Sequence, residues 1–242
     1  MAKIIARNAR ILIGGRDMSG WSNNTTLSLS SEMPDVTSFT DSNRTRLANS
    51  LKDTELTVDG FFGNSASEVD DNYRIMLAAS VLAGMYPAGY TASLVGYEFP
   101  GVLTNYEQTY AVADAAAVST TVAGSVYYWR SKSLYQGTLS GASAANQASV
   151  DFSGSSGSSY GIIRLLSLTG TTPEFSASMQ ESNDDIAWTT IYAVTSVSPA
   201  SIGPITGASY SSQLSSASRY RRVAASLSGT SPCATFFVAS AS

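Results

Sequence analysis

The sequence predicts a mainly β protein with one short helix. Three observations predict this fold class: apolar residues alternate with Ser or Thr, turn residues separate the alternating runs, and one stretch alone has helical spacing. The 242 residues can form one large all-β domain or two small ones. A stretch rich in Ser, Gly, Ala and Asn at 140–159 predicts a boundary, with one domain at 1–140 and a second at 141–242.

The first half of the chain is predicted to contain most of the strands. In the run at 54–62, Leu56 and Val58 occupy one face, while Thr57 and Asp59 occupy the other. The dipeptide Pro100-Gly101 predicts a turn between two strands. Strands are predicted at 4–13, 24–30, 36–41, 54–62, 90–99, 101–112, 124–130 and 134–139.

The helix is predicted from Ser67 to about Ala79. Ser67 is placed to cap it, and acidic residues occupy its first turn, where the helix dipole favours anions. Apolar residues recur at spacings of three or four, which predicts that one side packs on a sheet. The residues with these roles are Glu68, Asp70 and Asp71 in the first turn and Val69, Tyr73, Met76 and Leu77 on the apolar side.

The second half of the chain predicts a small β-sandwich. Short strands at 160–168, 174–181, 188–193, 219–227 and 233–240 are separated by turn residues such as Gly170, Ser198-Pro199 and Gly229.

The composition indicates an assembly subunit. Charged residues make up 13% of the chain, against roughly 25% in ordinary soluble proteins. A surface with so few charges repels neighbouring copies weakly and costs little to desolvate. A secreted β-protein rich in Ser and Thr would have a similar composition, and this alternative stays open.

The charge balance argues against sequence-specific nucleic-acid binding. The net charge is −4, the isoelectric point is about 4.8, and no basic patch stands out. A mildly acidic surface would repel phosphates, so DNA could pass it without sticking.

The residues needed for common catalytic and metal sites are scarce. Without histidine the chain lacks the usual general base and the commonest zinc ligand, and its single cysteine rules out an intrachain disulfide. Cys233 lies in an apolar alternating run and is interpreted as a small buried side chain. We therefore expect no catalytic residue, no metal ion and no cofactor, and neither a signal peptide nor a membrane-spanning segment.

Two carboxylate clusters have competing interpretations. The cluster of Glu68, Asp70 and Asp71 is explained by the helix N-terminus. Asp184 and Asp185, with Asn183 and Glu181 nearby, could bind a hard cation such as calcium or form a plain turn.

One connection between predicted strands is long and basic. Residues 42–53 show no strand period and contain Arg44, Arg46 and Lys52. Loops of this length are usually functional or mobile. Both a functional loop and a solvated one are compatible with this stretch.

An ordered set of segments resembles the tail tube (major tail) proteins of long-tailed bacteriophages. The segments are 11–20, the run Val36-Thr37-Ser38-Phe39-Thr40-Asp41, the basic stretch 44–47 and the return strand 51–62, followed by 101–112 and 134–139. Residues 179–188 and 219–238 resemble an accessory β-sandwich of phage tail proteins. The chain departs from the family at Ala48-Asn49-Ser50, where a bend with Pro or Gly is expected, and this puts the loop geometry in question.

The resemblance implies a tail-tube-type β-sandwich or barrel at 1–140 and an exterior β-sandwich at 141–242. Copies would form rings, usually hexameric, whose sheets join into an inner barrel for DNA. The protein would be a structural protein and not an enzyme. The loop residues implied to stack one ring on the next are Arg44, Arg46, Leu47, Leu51 and Lys52.

The resemblance also implies partners and a location. The partners would be further copies of the chain, the terminator, tape-measure and distal tail proteins, and genomic DNA that passes without sequence recognition. The protein would be assembled in the host cytoplasm and belong to the virion, with no membrane partner.

Two other functions stay open. A capsid decoration protein, or a tail-tip protein or adhesin, could use the β-sandwich to bind partner proteins or host glycans. A glycosidase needs only two carboxylates, but no pair here stands in a distinctive motif. Aromatic residues could stack on sugars, although in alternating strands they more often lie in the core; they are Tyr127, Tyr128, Trp129 and Trp188.

Overall fold

The computed structural model confirms the mainly β fold class. It describes residues 8–33, 35–40, 42–44, 46, 51–63, 68–112, 115–126, 128–152, 159–199, 208–214 and 218–241. Within these stretches the chain forms fourteen β-strands and one α-helix.

The elements follow one another in the order β1 (Arg10–Ile13), β2 (Arg16–Asp17), β3 (Ser22–Ser31), β4 (Lys52–Phe61), α1 (Val69–Met76), β5 (Ser80–Tyr86), β6 (Val95–Thr109), β7 (Ala117–Gly124), β8 (Trp129–Ser140), β9 (Ser143–Asn146), β10 (Val150–Asp151), β11 (Ser159–Ser182), β12 (Thr189–Val197), β13 (Ala208–Leu214) and β14 (Tyr220–Ala241).

The described residues divide into two compact units, each built from separate stretches of the chain. The large unit holds the described residues of Met1–Gly20, Leu82–Glu98 and Trp129–Ser242, and the small unit holds those of Trp21–Val81 and Phe99–Tyr128. The composition predicts a single division of the chain, after residue 140, because composition reveals only continuous segments. That the stretches 1–140 and 141–242 have separate roles stays a prediction.

The small unit is a four-stranded antiparallel sheet with a helix on one face. Its strand order is β3-β4-β7-β6, with β6 contributing its residues from Phe99 onward. Helix α1 buries Val69, Tyr73 and Met76, and the Tyr73 ring lies 5.5 Å from the ring of Tyr106 on β6. The apolar sheet residues buried in this unit include Leu56, Val58, Leu103, Val118 and Val122.

The large unit contains a β-sandwich built on two very long strands, β11 and β14. The first half of β11 pairs with the second half of β14, and these halves are flanked by β13 and β8. The other halves pair with each other and are flanked by β12, β9 and β10. Phe175 in one layer lies 4.9 Å from Phe236 in the other, measured between ring centroids, so the two layers share one apolar core.

Both long strands bend at the same motif. The sequence is Gly-Thr-Thr-Pro at 170–173 and Gly-Thr-Ser-Pro at 229–232, and the two motifs face each other across the β11–β14 ladder. Gly170 and Gly229 have φ values of 121° and 117°, and a Cβ on Gly170 would lie 2.8 Å from the Cα of Pro232. A side chain is therefore excluded at the point where each strand passes from one layer to the other.

The second half of β14 is buried on both faces. Phe236 and Val238 belong to the sandwich core, whereas Phe237 and Ala239 belong to a second core with Leu12, Leu82 and Tyr86. A strand covered on both faces is typically a nearly continuous apolar run, and residues 234–241 are apolar except for the small polar Thr235 and Ser240.

A buried arginine links three parts of the large unit. Arg164 on β11 forms an ion pair with Glu98 on β6, and both side chains are fully buried. The guanidinium also donates to the carbonyl oxygens of Gly14 and Leu82, the latter at 2.9 Å. The Tyr86 hydroxyl donates to the other carboxylate oxygen of Glu98 at 2.7 Å. This network holds the β1–β2 turn, β5 and β6 against β11.

Three predicted turns lie inside continuous strands. Pro100-Gly101 does not end a strand: β6 runs through it, and the Pro100 carbonyl accepts a hydrogen bond from the backbone N–H of Ser125. Gly170 and Gly229 mark bends and not strand ends. The predictions were wrong because tertiary pairing on both sides of these residues keeps the backbone extended.

Other boundaries also differ from the prediction. The strand expected at 124–130 is wrong as a unit, because β7 ends at Gly124 and β8 begins at Trp129. The described part of 36–41 forms no strand. The stretch 140–159 contains two short strands, β9 and β10. Helix α1 has Glu68 at its N-cap without a side-chain cap bond and ends at Met76, and Ser67 lies outside the described residues.

The buried ion pair gives a stability prediction. Arg164→Met leaves the Glu98 carboxylate buried without its counter-charge, so we expect a loss of about 3–5 kcal/mol in the free energy of unfolding. Arg164→Met combined with Glu98→Gln should lose less, because no buried charge remains. Urea denaturation of the three proteins measures this.

The control is Arg74→Met, which removes an exposed pair with Asp71. It should cost less than about 1 kcal/mol. A loss in Arg164→Met no larger than in this control would contradict the structural role of the buried pair.

Candidate functional site

The sheet of the small unit has two open edges. Strand β3 pairs only with β4 among the described residues, and residues 105–109 of β6 have a strand partner only on the side of β7. Because four strands alternate in direction, the two edge strands run antiparallel to each other. An exposed strand edge presents unpaired backbone groups that another chain can pair with.

The face of this sheet opposite the buried side chains is polar and acidic. The register places four acidic residues on it, and the only basic residue of the four strands, Lys52, falls on the other side in the alternation. The polar side chains of this face, called the polar face below, are Asn24, Thr26, Ser28, Ser30, Asp53, Glu55, Thr57, Asp59, Asn105, Glu107, Thr109, Ser119 and Thr121. The register places four apolar residues on the same face, namely Phe61, Val102, Ala117 and Ala123.

Hydrogen bonds hold part of the polar face in place. One Asp59 carboxylate oxygen accepts from the Asn24 amide at 3.0 Å, and the other accepts from the Ser119 hydroxyl at 2.7 Å. The carboxylate thus bridges β3, β4 and β7. The sequence pattern had already placed Thr57 and Asp59 opposite Leu56 and Val58, and the burial of the strand agrees.

On the face of the sheet that packs against α1, a carboxylate also accepts hydrogen bonds from the sheet. Asp70 in the first turn of α1 accepts from the Tyr106 hydroxyl at 2.9 Å and from the Gln108 amide at 2.7 Å. Partial burial raises the pKa of the Tyr106 hydroxyl to about 12, so it stays protonated and donates at neutral pH. These bonds attach the N-terminus of the helix to β6.

The described part of the predicted stacking loop lies where β3 ends and β4 begins. Arg44 pairs with Asp35 at 2.9 Å, and Asp35 also forms an isolated antiparallel bridge with Arg46. The side chains of Arg46, Leu51 and Lys52 are exposed, and Lys52 is the first residue of β4. Leu47 lies outside the described residues.

Exposed apolar side chains are concentrated in the small unit. Among the described residues, every exposed large apolar side chain except Ile186 belongs to it. They are Leu29, Met33, Val36, Phe39, Leu51, Phe61, Ile75, Leu77, Tyr110, Val112 and Val126. Exposed apolar side chains gathered in one part of a protein commonly mark an interaction surface.

Of this set, only Leu51 is implied by the family resemblance to be an interface residue. Phe61 and Tyr110 sit in runs that look like strand interiors, and their exposure follows from their position at strand ends. The predicted strand at 101–112 includes Tyr110 and Val112, but β6 ends at Thr109, so these two residues lie beyond the strand.

The remaining candidates are accounted for by packing. Trp129 stacks on Tyr160 at 3.9 Å beside the second core, and Arg222 lies 4.2 Å above the Trp188 ring. Tyr127 is outside the described residues. No cluster of three or more acidic or cysteine side chains in the described stretches is placed to hold a metal ion, and no helix there is long and apolar enough to cross a membrane.

The Asp184 cluster has the geometry of a turn. One Asp184 carboxylate oxygen accepts from the Ser182 hydroxyl at 2.7 Å and from the backbone N–H groups of Ile186 and Ala187, each at 2.9 Å. These bonds lower the pKa of the Asp184 carboxyl from 3.8 to about 2. The carboxylate therefore organises the connection that follows β11.

Three solved structures are similar to this chain at low identity. A chain of the virion of a native gene transfer agent particle is 15% identical with a TM-score of 0.38, over 49% of this chain and 92% of that one. A chain in the tail of an empty gene transfer agent particle with C6 symmetry is 15% identical with a TM-score of 0.35, over 45% of this chain and 80% of that one.

The third is the SPP1 Dit (gp 19.1) protein, a paradigm of the hub adsorption apparatus in phages that infect Gram-positive bacteria. It is 14% identical with a TM-score of 0.37, over 96% of this chain and 98% of that one. No protein-family profile matches the chain, and no curated protein matches it in sequence. The structural neighbours are thus virion, tail and tail-hub proteins, at similarities too low to assign a role.

The Asp184 turn gives a pH prediction. Because the folded pKa is lowered, the carboxylate stabilises the fold above pH 4, and this contribution is lost as the pH falls towards 2. Asp184→Asn cannot titrate, so the difference in unfolding free energy between wild type and variant should shrink from pH 5 to pH 2. Chemical denaturation across this range measures the difference, and a constant difference would contradict the assignment.

Proposed function

We propose that this chain is a structural protein of a bacteriophage tail, and that its copies form rings that stack into the tail tube. The observation that carries the proposal is the small unit: an open antiparallel sheet with one acidic polar face and one face covered by a helix. A sheet of this kind can close with further copies into a barrel that has a polar interior.

Ring closure follows from the two sheet edges. Strand β3 of one copy can pair with residues 105–109 of the next, and the pairing would be antiparallel like every other pair in the sheet. Each addition satisfies the backbone groups of two exposed edges. The same surfaces are used at every contact, so a rotation that closes produces a ring.

The polar face would line the channel of such a ring. Asp53, Glu55, Asp59 and Glu107 contribute four negative charges per copy and no opposing basic side chain. DNA phosphates would be repelled along the whole wall, which lowers friction for passage without sequence recognition.

The loop residues Arg44, Arg46, Leu47, Leu51 and Lys52 are proposed to contact the next ring. The partners proposed with the tube are the terminator, tape-measure and distal tail proteins, and the location is the virion after assembly in the host cytoplasm. The sandwich of the large unit is proposed to lie outside the tube. The proposal assigns no catalytic activity to the chain.

One observation favours a tail-tip or adhesin role as the second candidate. The sheet formed by β12, β11, β14 and β9 has an open trough of about 320 Å³ lined mainly by Ala and Ser, including Ala144, Ser178 and Ala224. Arg222, two residues before Ala224 on the same strand, covers Trp188. A trough of this kind could accept a glycan or a partner loop.

The channel assignment is tested by Glu55→Lys, compared with Glu174→Lys on an exposed position of β11. Both substitutions make the same charge change. We expect tubes of both variants, but only Glu55→Lys tubes should retain DNA, about tenfold or more over wild type at low salt. Co-sedimentation of labelled DNA with tubes assembled in its presence gives the ratio, and equal retention by the two variants would refute the channel assignment.

The loop assignment is tested by Arg44→Glu together with Arg46→Glu. Both side chains are exposed, so the variant should fold and form rings, but tube growth should be blocked because the proposed contact with the next ring then carries two negative charges in place of two positive ones. Negative-stain electron microscopy with tube-length measurement is the readout. Tubes of normal length would show that these residues do not stack rings.

A further inference from the structure

The large unit contains a polar cavity of about 380 Å³ that no function proposed above uses. Three parts of the chain line it: Asn8 and Arg10 at the start of β1, the turn 88–92 after β5, and residues 134–136 of β8. Small-molecule sites in proteins are usually cavities of about 300–1,000 Å³. The cavity therefore has the size of a ligand site.

Hydrogen bonds to β8 fix the turn that forms one wall of the cavity. The Ser133 hydroxyl donates to the Thr91 carbonyl, and the Ser133 backbone N–H donates to the Leu94 carbonyl at 3.0 Å. The backbone N–H of Ser93 donates to the Ser133 carbonyl at 2.9 Å. This wall is thus preorganised, which lowers the entropic cost of binding a ligand against it.

Arg10 supplies the only charge among the described residues that line the cavity. Its guanidinium lies 5.4 Å from the centre of the Tyr90 ring, a cation–π contact that limits its movement. Arg10 forms no ion pair with any described residue. The Asp17 carboxylate does not line the cavity and accepts from the hydroxyls of Tyr90, at 3.0 Å, and Ser19. The cavity wall therefore has one positioned cation and no counter-charge.

Three residues with uncharged polar side chains line the same cavity. They are Asn8 and Gln136, each with a carboxamide, and Thr91 with a hydroxyl. None of these three side chains has a hydrogen-bond partner in the described part of the chain. A carboxamide both donates and accepts, which suits the hydroxyl groups of a sugar, and an arginine fork matches a carboxylate or a phosphate. The wall thus offers partners for an anionic group and for hydroxyl groups together.

The cavity offers little contact to an apolar ligand. The Tyr90 ring lies under the Arg10 guanidinium, so that face is not open for stacking. The Tyr135 ring packs against Phe236 at 5.0 Å, and Leu134 is buried in the same core. The apolar groups of the wall therefore belong to the protein core and are not arranged to receive a ligand.

We infer that this cavity binds an acidic saccharide. Arg10 pairs with the carboxylate or phosphate group, and the carboxamides of Asn8 and Gln136 bond the ring hydroxyls. The volume favours a sugar over a free anion, because a single water takes up only about 30 Å³ and a lone anion would leave most of the cavity to solvent. The inference goes beyond the proposed function and does not depend on it, since the cavity lies within one copy of the chain.

The test is saturation-transfer NMR of ligands added to the purified protein, a measurement that works for free and assembled copies alike. D-Glucuronate and glucose 6-phosphate are the two probes, and they distinguish a carboxylate from a phosphate as the anionic group. Glucose has the ring without the charge, and acetate has the charge without the ring. We expect saturable binding of at least one probe, with both glucose and acetate about tenfold or more weaker.

Arg10→Met should weaken binding of the better probe about tenfold or more, because it removes the charge-assisted hydrogen bonds. Arg10→Lys keeps the charge but not the planar fork, so its affinity should lie between those of Arg10→Met and wild type. The matched control is Arg130→Met, which removes an exposed cation of β8 outside the cavity and should leave binding unchanged. Ala92→Trp, at an exposed position of the wall, should block the cavity without a change of charge.

The outcomes separate this inference from other sites and from the proposed function. Probe binding that survives both Arg10→Met and Ala92→Trp would place the saccharide elsewhere, for example in the trough, and would overturn the inference. Acetate or N-acetylglutamate that binds as tightly as the better probe would show a carboxylate site that ignores the sugar ring, which also overturns it. The same holds if neither probe binds. None of these results bears on tube formation, which electron microscopy decides.

Discussion

The ion pair between Arg164 and Glu98 is the interaction on which the large unit depends. Two charges buried in an apolar interior are tolerable only with near-complete hydrogen bonding. Arg164 finds the Glu98 carboxylate and the carbonyls of Gly14 and Leu82, and Glu98 also accepts from Tyr86. Burial still raises the pKa of the Glu98 carboxyl against the pull of the guanidinium. Four separate stretches of chain meet at these two side chains. The network therefore holds the β1–β2 turn, β5, β6 and β11 in one arrangement.

The long strands β11 and β14 show how the remaining large unit is organised around that interaction. Their paired glycines bend both strands at the same level, so one pair of strands contributes to both layers of a sandwich. Only the half that carries Arg164 is covered on both faces. The outer layer is covered on one face, and its free face carries the small side chains of the trough.

In the small unit, apolar and acidic side chains occupy different surfaces, and the proposed assembly is based on this separation. One sheet face is apolar under α1, the other is mostly polar and acidic, and both edges lack a further strand partner among the described residues. In the proposed tail tube, the edges would serve ring closure and the polar face would serve DNA passage. The low charge content of the chain lowers the desolvation cost of covering so much surface.

The sequence alone determined the fold class, the helix and the strands with clear alternation, such as β4, because period and composition are local properties. It also indicated that Thr57 and Asp59 share a face. The tertiary structure decided which segments pair: Pro100, Gly170 and Gly229 read locally as turns, yet neighbouring strands keep them extended. It also decided that Arg164 is buried and that Phe61, Tyr110 and Val112 are exposed, since burial depends on what the rest of the chain covers and no local pattern contains that.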